Sequence, residues 1–413
     1  MDHTQRDQEI AKLLQSEHVK YQNIDLGQGK GTGGYRRTSM DSLLFGSDIK
    51  GLTLLDIGSS LGHFCLEALK RGAAGATGLE TSPERIRHAR EIARLMELPA
   101  EYIEADFENW TPQPKSHDVV LCLNVLHHLY EPIGAIRKIM SMTRHRFYLE
   151  VAPVKASEVM KVANLFSLWG ATNGPLVLLG DTSISARAAD RTFTFTKKAM
   201  SVIINGHSKA YEPVLFHPSS FKGRWIVEAR RRQIDHLVVV AGVTGVGKST
   251  FIEKLRASKE LRARFGIGDD FSVASANDVD SLAPGRHETL IYHYDVLRPF
   301  DRPLHSHQRD PAFHLLSSAK RVTSITLAND SGTLRQRLQS PGAEPKSRKG
   351  KKRHSVILKQ YENPAFLQTW HDAWATAVEK EVAPAPLEVR LVRSDEGYST
   401  ISTAADLKAL LSA

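Results

Sequence analysis

Short apolar runs alternate with helical-period segments along two separate stretches of the chain. The first stretch opens at residues 52–57 (LTLLDI), a continuous apolar run that predicts a buried strand. It enters Gly58-Ser59-Ser60-Leu61-Gly62, after which Phe64, Leu66, Ala68 and Leu69 recur at helical spacing. Residues 75–79 predict a second strand closing on Glu80, and residues 83–96 a helix. Residues 101–105 predict a third strand closing on Asp106, and residues 117–123 (HDVVLCL) a fourth opening onto Asn124-Val125-Leu126-His127-His128-Leu129. A helix over 132–143 leads to a fifth strand at 146–151, and residues 210–216 and 224–229 predict a closing hairpin. Strand–helix alternation of this kind predicts a doubly wound parallel sheet.

The second stretch starts at residues 236–241 (HLVVVA), an apolar, β-branched strand running into Gly242-Val243-Thr244-Gly245-Val246-Gly247-Lys248-Ser249-Thr250. Phe251, Ile252 and Leu255 then recur at helical spacing. Strands are predicted at 288–294, ending at Asp295, at 321–327 and at 387–392, with a closing helix over 404–411. Only a short connector around 228–235 separates the stretches, so the expected architecture is two doubly wound α/β domains. Their bounds are 1–50 for an N-terminal helix and cap, 51–235, and 236–413. In the cap, Ile10, Leu13 and Leu14 predict an amphipathic helix, and the Gly-rich polar residues 22–37 a loop. Residues 153–192 break the pattern. Val159, Ala163, Phe166 and Trp169 predict a helix, and 170–191 a cover with Trp169 and Arg187 either contacting an acceptor or packing.

Composition changes this picture little. Hydrophobic residues make up 41% and charged residues 24%, which is ordinary for a globular protein. No apolar run approaches the length of a membrane span, so no membrane insertion and a cytoplasmic location are expected. Cys65 and Cys122 both fall in apolar segments and read as buried free thiols. The net charge of +9 owes much to Lys346, Arg348, Lys349, Lys351, Lys352 and Arg353. That run reads as a catalytic lid, as an RNA-binding arm or as a solvated loop.

Candidate chemistry follows from the strand ends. G-x-x-x-x-G-K-[ST] between a strand and a helix is a phosphate-binding P-loop: backbone N–H groups and a helix N-terminus face the phosphates. Gly242, Gly245, Val246, Gly247, Lys248, Ser249 and Thr250 are its nucleotide-binding candidates. Lys248 reaches the β/γ-phosphates, and Ser249 ligates Mg²⁺. Asp295 is either a second Mg²⁺-organising acid or the base for an acceptor hydroxyl. In the first stretch, an acid at the end of the second strand is where such folds hold ribose hydroxyls, which nominates Glu80.

The D-x-G-x-x-x-G turn, the acids closing strands two and three, and L-N-V-L-H-H-L after strand four resemble class I S-adenosylmethionine (SAM)-dependent methyltransferases over about residues 50–235. That resemblance implies a Rossmann-like sheet binding SAM. Asp56, Gly58, Ser59 and Gly62 would sit beside the methionine moiety, Glu80 on the ribose, Asp106 and Phe107 around the adenine, and Asn124 near the donor. His128 would be either a base or donor-pocket wall. The I-D-L-G-x-G and T-G-G loop and residues 193–198 (FTFTKK) are loosely similar to enzymes that modify the tRNA wobble uridine with a carboxymethyl donor. Arg36 and Arg37 lie where that family's carboxylate-binding lysine is sought. Residues 236–413 resemble small-molecule P-loop kinases, which implies ATP, Mg²⁺ and lid arginines at Arg335 and Arg337.

The expected function is a bifunctional enzyme that couples methyl transfer, to an oxygen acceptor, with phosphoryl transfer. The acceptor is expected to be a glycan or small molecule. RNA as the substrate of both domains, and a regulatory ATP-binding module, are the alternatives. The N/D-P-P-Y motif of base-amino methylation is absent.

Overall fold

A computed structural model describes residues 3–46, 48–152, 174–181, 191–294, 313–340, 342–383, 385–395 and 397–412. The expectations for Trp169, Arg187, the helix around 159–169 and Asp295 fall outside the described residues. The chain divides into two compact units, Met1–Gly206 with Pro213–Arg231, and His207–Glu212 with Arg232–Ala413. His207–Glu212 belongs with the second unit through specific contacts. Lys209 pairs with Asp280, and Glu212 accepts from the Gly285 amide at 2.9 Å.

The first unit opens with α1 (His3–Leu14), whose Ile10 and Leu13 are buried as the amphipathic spacing requires. The polar stretch after it is not wholly a loop. It contains the hairpin strands β1 (Asp25–Gly27) and β2 (Lys30–Gly31), and then α2 (Asp41–Phe45). The core alternation follows: β3 (Thr53–Ile57), α3 (His63–Lys70), β4 (Gly75–Glu80), α4 (Pro83–Leu95), β5 (Glu101–Glu104), β6 (His117–Cys122), α5 (Pro132–Met142) and β7 (Thr143–Val151). Helix α4 starts where Pro83 follows Ser82, whose hydroxyl accepts from the Arg85 amide at 3.4 Å. β7 begins three residues before the expected strand. Thr143 pairs with His117 and donates to the Ile139 carbonyl at 2.7 Å, so helix passes to strand without a loop.

A hairpin, β8 (Val177–Asp181) and β9 (Arg191–Phe195), precedes α6 (Lys197–His207). The unit closes with β10 (Leu215–Pro218) and β11 (Trp225–Arg230). Residues 210–214 do not extend β10 as the pattern suggested; the Ala210 carbonyl instead accepts from the Arg232 amide at 2.8 Å. The strands lie in the order β10-β11-β7-β6-β3-β4-β5. β3 to β7 run parallel to one another, while β11 runs antiparallel to both β7 and β10. The chain reverses its direction of travel between β3 and β6, where open sheets of this kind bind ligands beyond the strand ends.

The second unit is a five-stranded, wholly parallel sheet in the order β13-β14-β12-β15-β16. Its elements are β12 (Gln233–Ala241), α7 (Lys248–Ala257), α8 (Lys259–Arg264), β13 (Ser272–Ser275), β14 (Arg286–His293), β15 (Ala319–Ala328), α9 (Ser331–Gln339), α10 (Arg348–Gln360), α11 (Pro364–Val382), β16 (Leu387–Arg393) and α12 (Ala404–Ser412). The three central strands are largely buried, β12 through an unbroken apolar run and β14 and β15 with buried threonines and Ser324 among their apolar residues, as a two-sided parallel sheet demands. The loop reading of the basic run is corrected: residues 348–353 form the first turns of α10, capped by the Ser347 hydroxyl on the Gly350 amide at 3.0 Å. β13 escaped the pattern because SVAS is short and only Ala274 is fully buried. α11 carries Leu367, Trp370, Trp374 and Val378 buried at spacings of three and four, a helical signal present in the sequence.

Candidate functional site

The carboxyl ends of β3, β4 and β6 surround a cavity of about 360 Å³. Asp56, Gly58, Glu80, Asp106, Phe107, Asn124 and His128 all line it, with Tyr21, Gln22, Arg37, Ser60 and Arg85. Ser59 and Gly62, expected among the ligand-contacting residues, do not line it. They shape the turn behind it, the Gly62 amide donating to the Ser59 carbonyl at 2.9 Å. Gly62 has φ +84°, and a Cβ there would stand 2.0 Å from the Tyr102 hydroxyl. Only glycine fits that corner.

Glu80 is buried at the end of β4 and organises the rim. Its carboxylate accepts from the amides of Ser60 at 3.0 Å, Thr81 at 3.0 Å and Ser82 at 3.1 Å. Arg85 stands 3.8 Å away. A carboxylate so fixed, facing a cavity, is suited to accept hydroxyl protons. Asp106 is exposed, folding its own turn through the Glu108 amide and the Asn109 side chain. Phe107 is buried and presents an apolar wall, with Lys138 above its ring at 5.0 Å.

Three buried groups in the cavity wall, Asp56, Arg37 and the Ser60 hydroxyl, keep atoms without partners. Asp56 Oδ2 has none, and burial pushes this carboxyl up to about 8 against an opposing pull from Arg37. Arg37, with a 7% exposed side chain, donates to the fully buried Glu150 at 2.8 Å. Its guanidinium lies between the rings of Phe64 at 5.2 Å and Phe221 at 4.9 Å, yet its Nε has no partner. Leaving buried polar atoms unmet costs about 1–3 kcal/mol each, which a ligand carrying complementary charge would recover.

At the mouth, Asn124 follows β6 in the left-handed region, φ +64°. Its amide donates to the Tyr21 hydroxyl at 3.0 Å, and its carbonyl oxygen accepts from Arg224. His128 sits against His127 with ring centroids 4.0 Å apart. Burial, then His128 and Arg224, depress His127 to about 3, so it is neutral at physiological pH.

In the second unit, the turn from Gly242 to Gly247 joins β12 to α7. Gly242 has φ +144°, and a Cβ there would lie 2.8 Å from the Leu327 carbonyl oxygen. Lys248 is buried, donating to the carbonyls of Gly242 at 3.0 Å and Val243 at 3.2 Å. Ser249 and Thr250 are exposed in the first turn of α7, and Val246 is buried. The two lid candidates separate. Arg337 braces the turn, donating to the Val246 carbonyl at 3.0 Å and the Ser394 carbonyl at 2.9 Å, whereas Arg335 lies 3.7 Å from Glu362. The Tyr361 hydroxyl adds a brace on the Thr244 carbonyl at 2.8 Å. Among the described residues, no cluster of three or more His, Cys, Asp or Glu side chains could hold a metal ion.

Sequence reasoning passed over Tyr21, Gln22, Arg85 and Arg224, and it noted Arg37 only as lying near the place of a carboxylate-binding lysine. These come from loops and from distant strands, and nothing in their spacing announces that they meet.

Residues 54–146 match the family model of a methyltransferase domain. Among curated relatives, the ribosomal protein L11 methyltransferase of Pectobacterium atrosepticum is 35% identical over 104 residues, covering 25% of this chain and 35% of that protein. The ubiquinone biosynthesis O-methyltransferase of Yersinia pestis is 29% identical over 113 residues, covering 26% of this chain and 46% of that protein. The chain thus spans between a third and a half of the length of these relatives. Among solved structures, the magnesium protoporphyrin IX methyltransferase of Synechocystis, with bound S-adenosylhomocysteine (SAH), is 19% identical. It covers 47% of this chain and 81% of that chain at a TM-score of 0.35. The SAH-bound N-terminal domain of EvdMO1 is 17% identical and covers 56% of this chain and 97% of that chain at 0.40. Residues 54–146 are a methyltransferase domain, carried on a Rossmann-like α/β sheet. No helix among the described residues is long and apolar enough to cross a membrane.

Proposed function

We propose that this chain is a two-activity enzyme. Its first unit transfers methyl from SAM to an oxygen acceptor, and its second binds ATP with Mg²⁺ and transfers phosphoryl. The first half rests above all on the 360 Å³ cavity between β3 and β6, in which an unmet buried carboxyl and an unmet buried guanidinium face one space. Glu80 takes the donor's ribose hydroxyls, Arg37 its carboxylate through the unpartnered Nε, and Phe107 with Asp106 the adenine. SAM supplies an electrophilic sulfonium methyl, so the chain's own contribution is alignment and exclusion of water. His128 at the mouth takes the proton of an acceptor hydroxyl. An oxygen acceptor agrees with the name of the ubiquinone biosynthesis O-methyltransferases and with the missing N/D-P-P-Y motif.

The second half rests on the Gly242–Gly247 turn, set at the strand-order reversal of a parallel sheet and followed at once by a helix. Lys248 would leave the loop carbonyls for phosphate oxygens, and Ser249 would hold Mg²⁺. Arg335 and Asp295 are the remaining transfer candidates, and Arg337 keeps the loop in shape. A glycan or small molecule is the preferred acceptor. Calorimetry with SAM, and separately with ATP and Mg²⁺, tests the two halves. Mass spectrometry of an extract incubated with labelled ATP and SAM then identifies what is modified. Absence of SAM binding sinks the first half, and absence of ATP binding the second.

A further inference from the structure

Both arginines that line the first unit's cavity have a carboxylate. Arg37 has Glu150, Arg85 has Glu80, and on nearby strands Arg146 has Asp48 and Arg230 has Glu228. Among the described residues, no carboxylate pairs with Arg224. Its guanidinium is held by a neutral group, the Asn124 side-chain Oδ1, and lies 5.6 Å from the centre of the Phe221 ring. The holding is built, not incidental. The turn between β10 and β11 is closed by the Arg224 amide on the Phe221 carbonyl at 3.1 Å and by the Phe221 amide on the Ser219 hydroxyl at 3.0 Å. Ser219 is in turn bonded to Glu150. Asn124 itself lines the cavity, so Arg224 stands one hydrogen bond outside its wall.

Aromatic rings flank this uncompensated charge. Tyr35 meets Phe221 edge-on at 5.5 Å and Tyr21 at 6.3 Å, while the Tyr21 hydroxyl is bonded to Asn124. Tyr35 is 61% exposed and Tyr21 37%, which leaves apolar faces open beside a cation at the mouth. A guanidinium in that setting is suited to bidentate recognition of a carboxylate or phosphate.

We propose that Arg224 sets acceptor specificity: the methyl acceptor is a ring-bearing anion whose charge docks on Arg224 and whose ring lies against Tyr35 and Phe221. The inference rests on the methyltransferase reading and narrows its acceptor to acids. Arg224 positions the acceptor and leaves the donor half of the cavity alone.

The test uses fluorine NMR on the full-length protein saturated with SAH. The probes are 4-fluorobenzoate, 4-fluorophenyl phosphate and the uncharged 4-fluorobenzamide. Wild type should bind one or both anions saturably and the amide at least tenfold more weakly. The better anion tells carboxylate from phosphate. Arg224→Gln should weaken anion binding about tenfold or more, the scale of a lost charged hydrogen bond, with SAH affinity within about threefold. Arg224→Lys, which keeps the charge, should fall between. Unchanged thermal melting of the variants establishes that they fold. Equal binding of amide and anions, equal binding by wild type and Arg224→Gln, or no saturable anion binding each overturns the proposal. Failure of SAH itself to bind overturns the underlying methyltransferase reading instead.

Discussion

The two units place one architecture under opposite electrostatics. In each, a central parallel strand runs into a glycine turn at the point where the strand order reverses, β3 into residues 58–62 and β12 into residues 242–247. Around the first turn the strands end in carboxylates, Asp56, Glu80 and, just beyond β5, Asp106. Around the second, the dominant charge is Lys248, with the N-terminus of α7 behind it. Carboxylates favour hydroxyls and ammonium groups, whereas amide N–H groups and a lysine favour phosphate. On the function proposed above, the fold supplies the place, and the charge at the strand ends would select which part of the ligand is read.

Breaking the second turn should give the largest effect. Lys248→Ala is expected to reduce phosphoryl transfer or ATP hydrolysis to background while SAM affinity stays within a few-fold. Calorimetry with both ligands checks this, and loss of both affinities in a folded variant would collapse the two-site comparison. Next, Glu80→Ala should weaken SAM by about 1–3 kcal/mol, from unpaired ribose hydroxyls and the freed amides of Ser60, Thr81 and Ser82. ATP binding should not move. Unchanged SAM affinity would make Glu80 a brace for the turn and nothing more.

A pH titration sharpens the acidic side of the comparison. Asp56 is raised from 3.8 to about 8, so the folded protein holds its proton at neutral pH. Its contribution to stability is therefore fully present below about 4 and is lost as pH rises through about 8. A cationic donor favours the ionised form. SAM affinity should rise by up to about tenfold per pH unit on approaching pH 8 and level off above it. Asp56→Asn should flatten that dependence. A profile identical in wild type and variant would remove Asp56 from donor recognition.

The smallest effect concerns α10, which begins with Arg348 and Lys349 where the helix dipole disfavours cations. Arg348→Glu should raise stability by about 0.3–1 kcal/mol at low salt, read from thermal melting. A simultaneous fall in phosphoryl transfer would show that the charge is kept there for an anionic ligand at a cost in stability. A loss of stability would show that Arg348 has a structural role of its own.

Much of both sheets was legible because period and punctuation are local properties. The runs at 52–57 and 236–241 are apolar throughout, their glycine turns follow at once, and Asp56, Glu80 and Lys248 sit at fixed offsets from them. These strands all end at the carboxyl edge of their sheet, the edge beyond which open α/β sheets bind ligands at the point where strand order reverses. The tertiary structure alone decided the rest. Arg37 meets Glu150 across 113 positions, and Arg224 meets Asn124 across 100. Whether an arginine is neutralised depends on which carboxylate the fold brings beside it, and that pairing leaves no periodic trace. The basic run shows the same limit. Its charge left a lid, an RNA-binding arm and a solvated loop open, and helix formation was settled by the Ser347 cap and by the packing of the turns that follow, where Ile357 and Leu358 reach the core. Local sequence fixes where backbone turns and strand ends fall, but the charge a ligand meets is a sum over neighbours that only folding assembles.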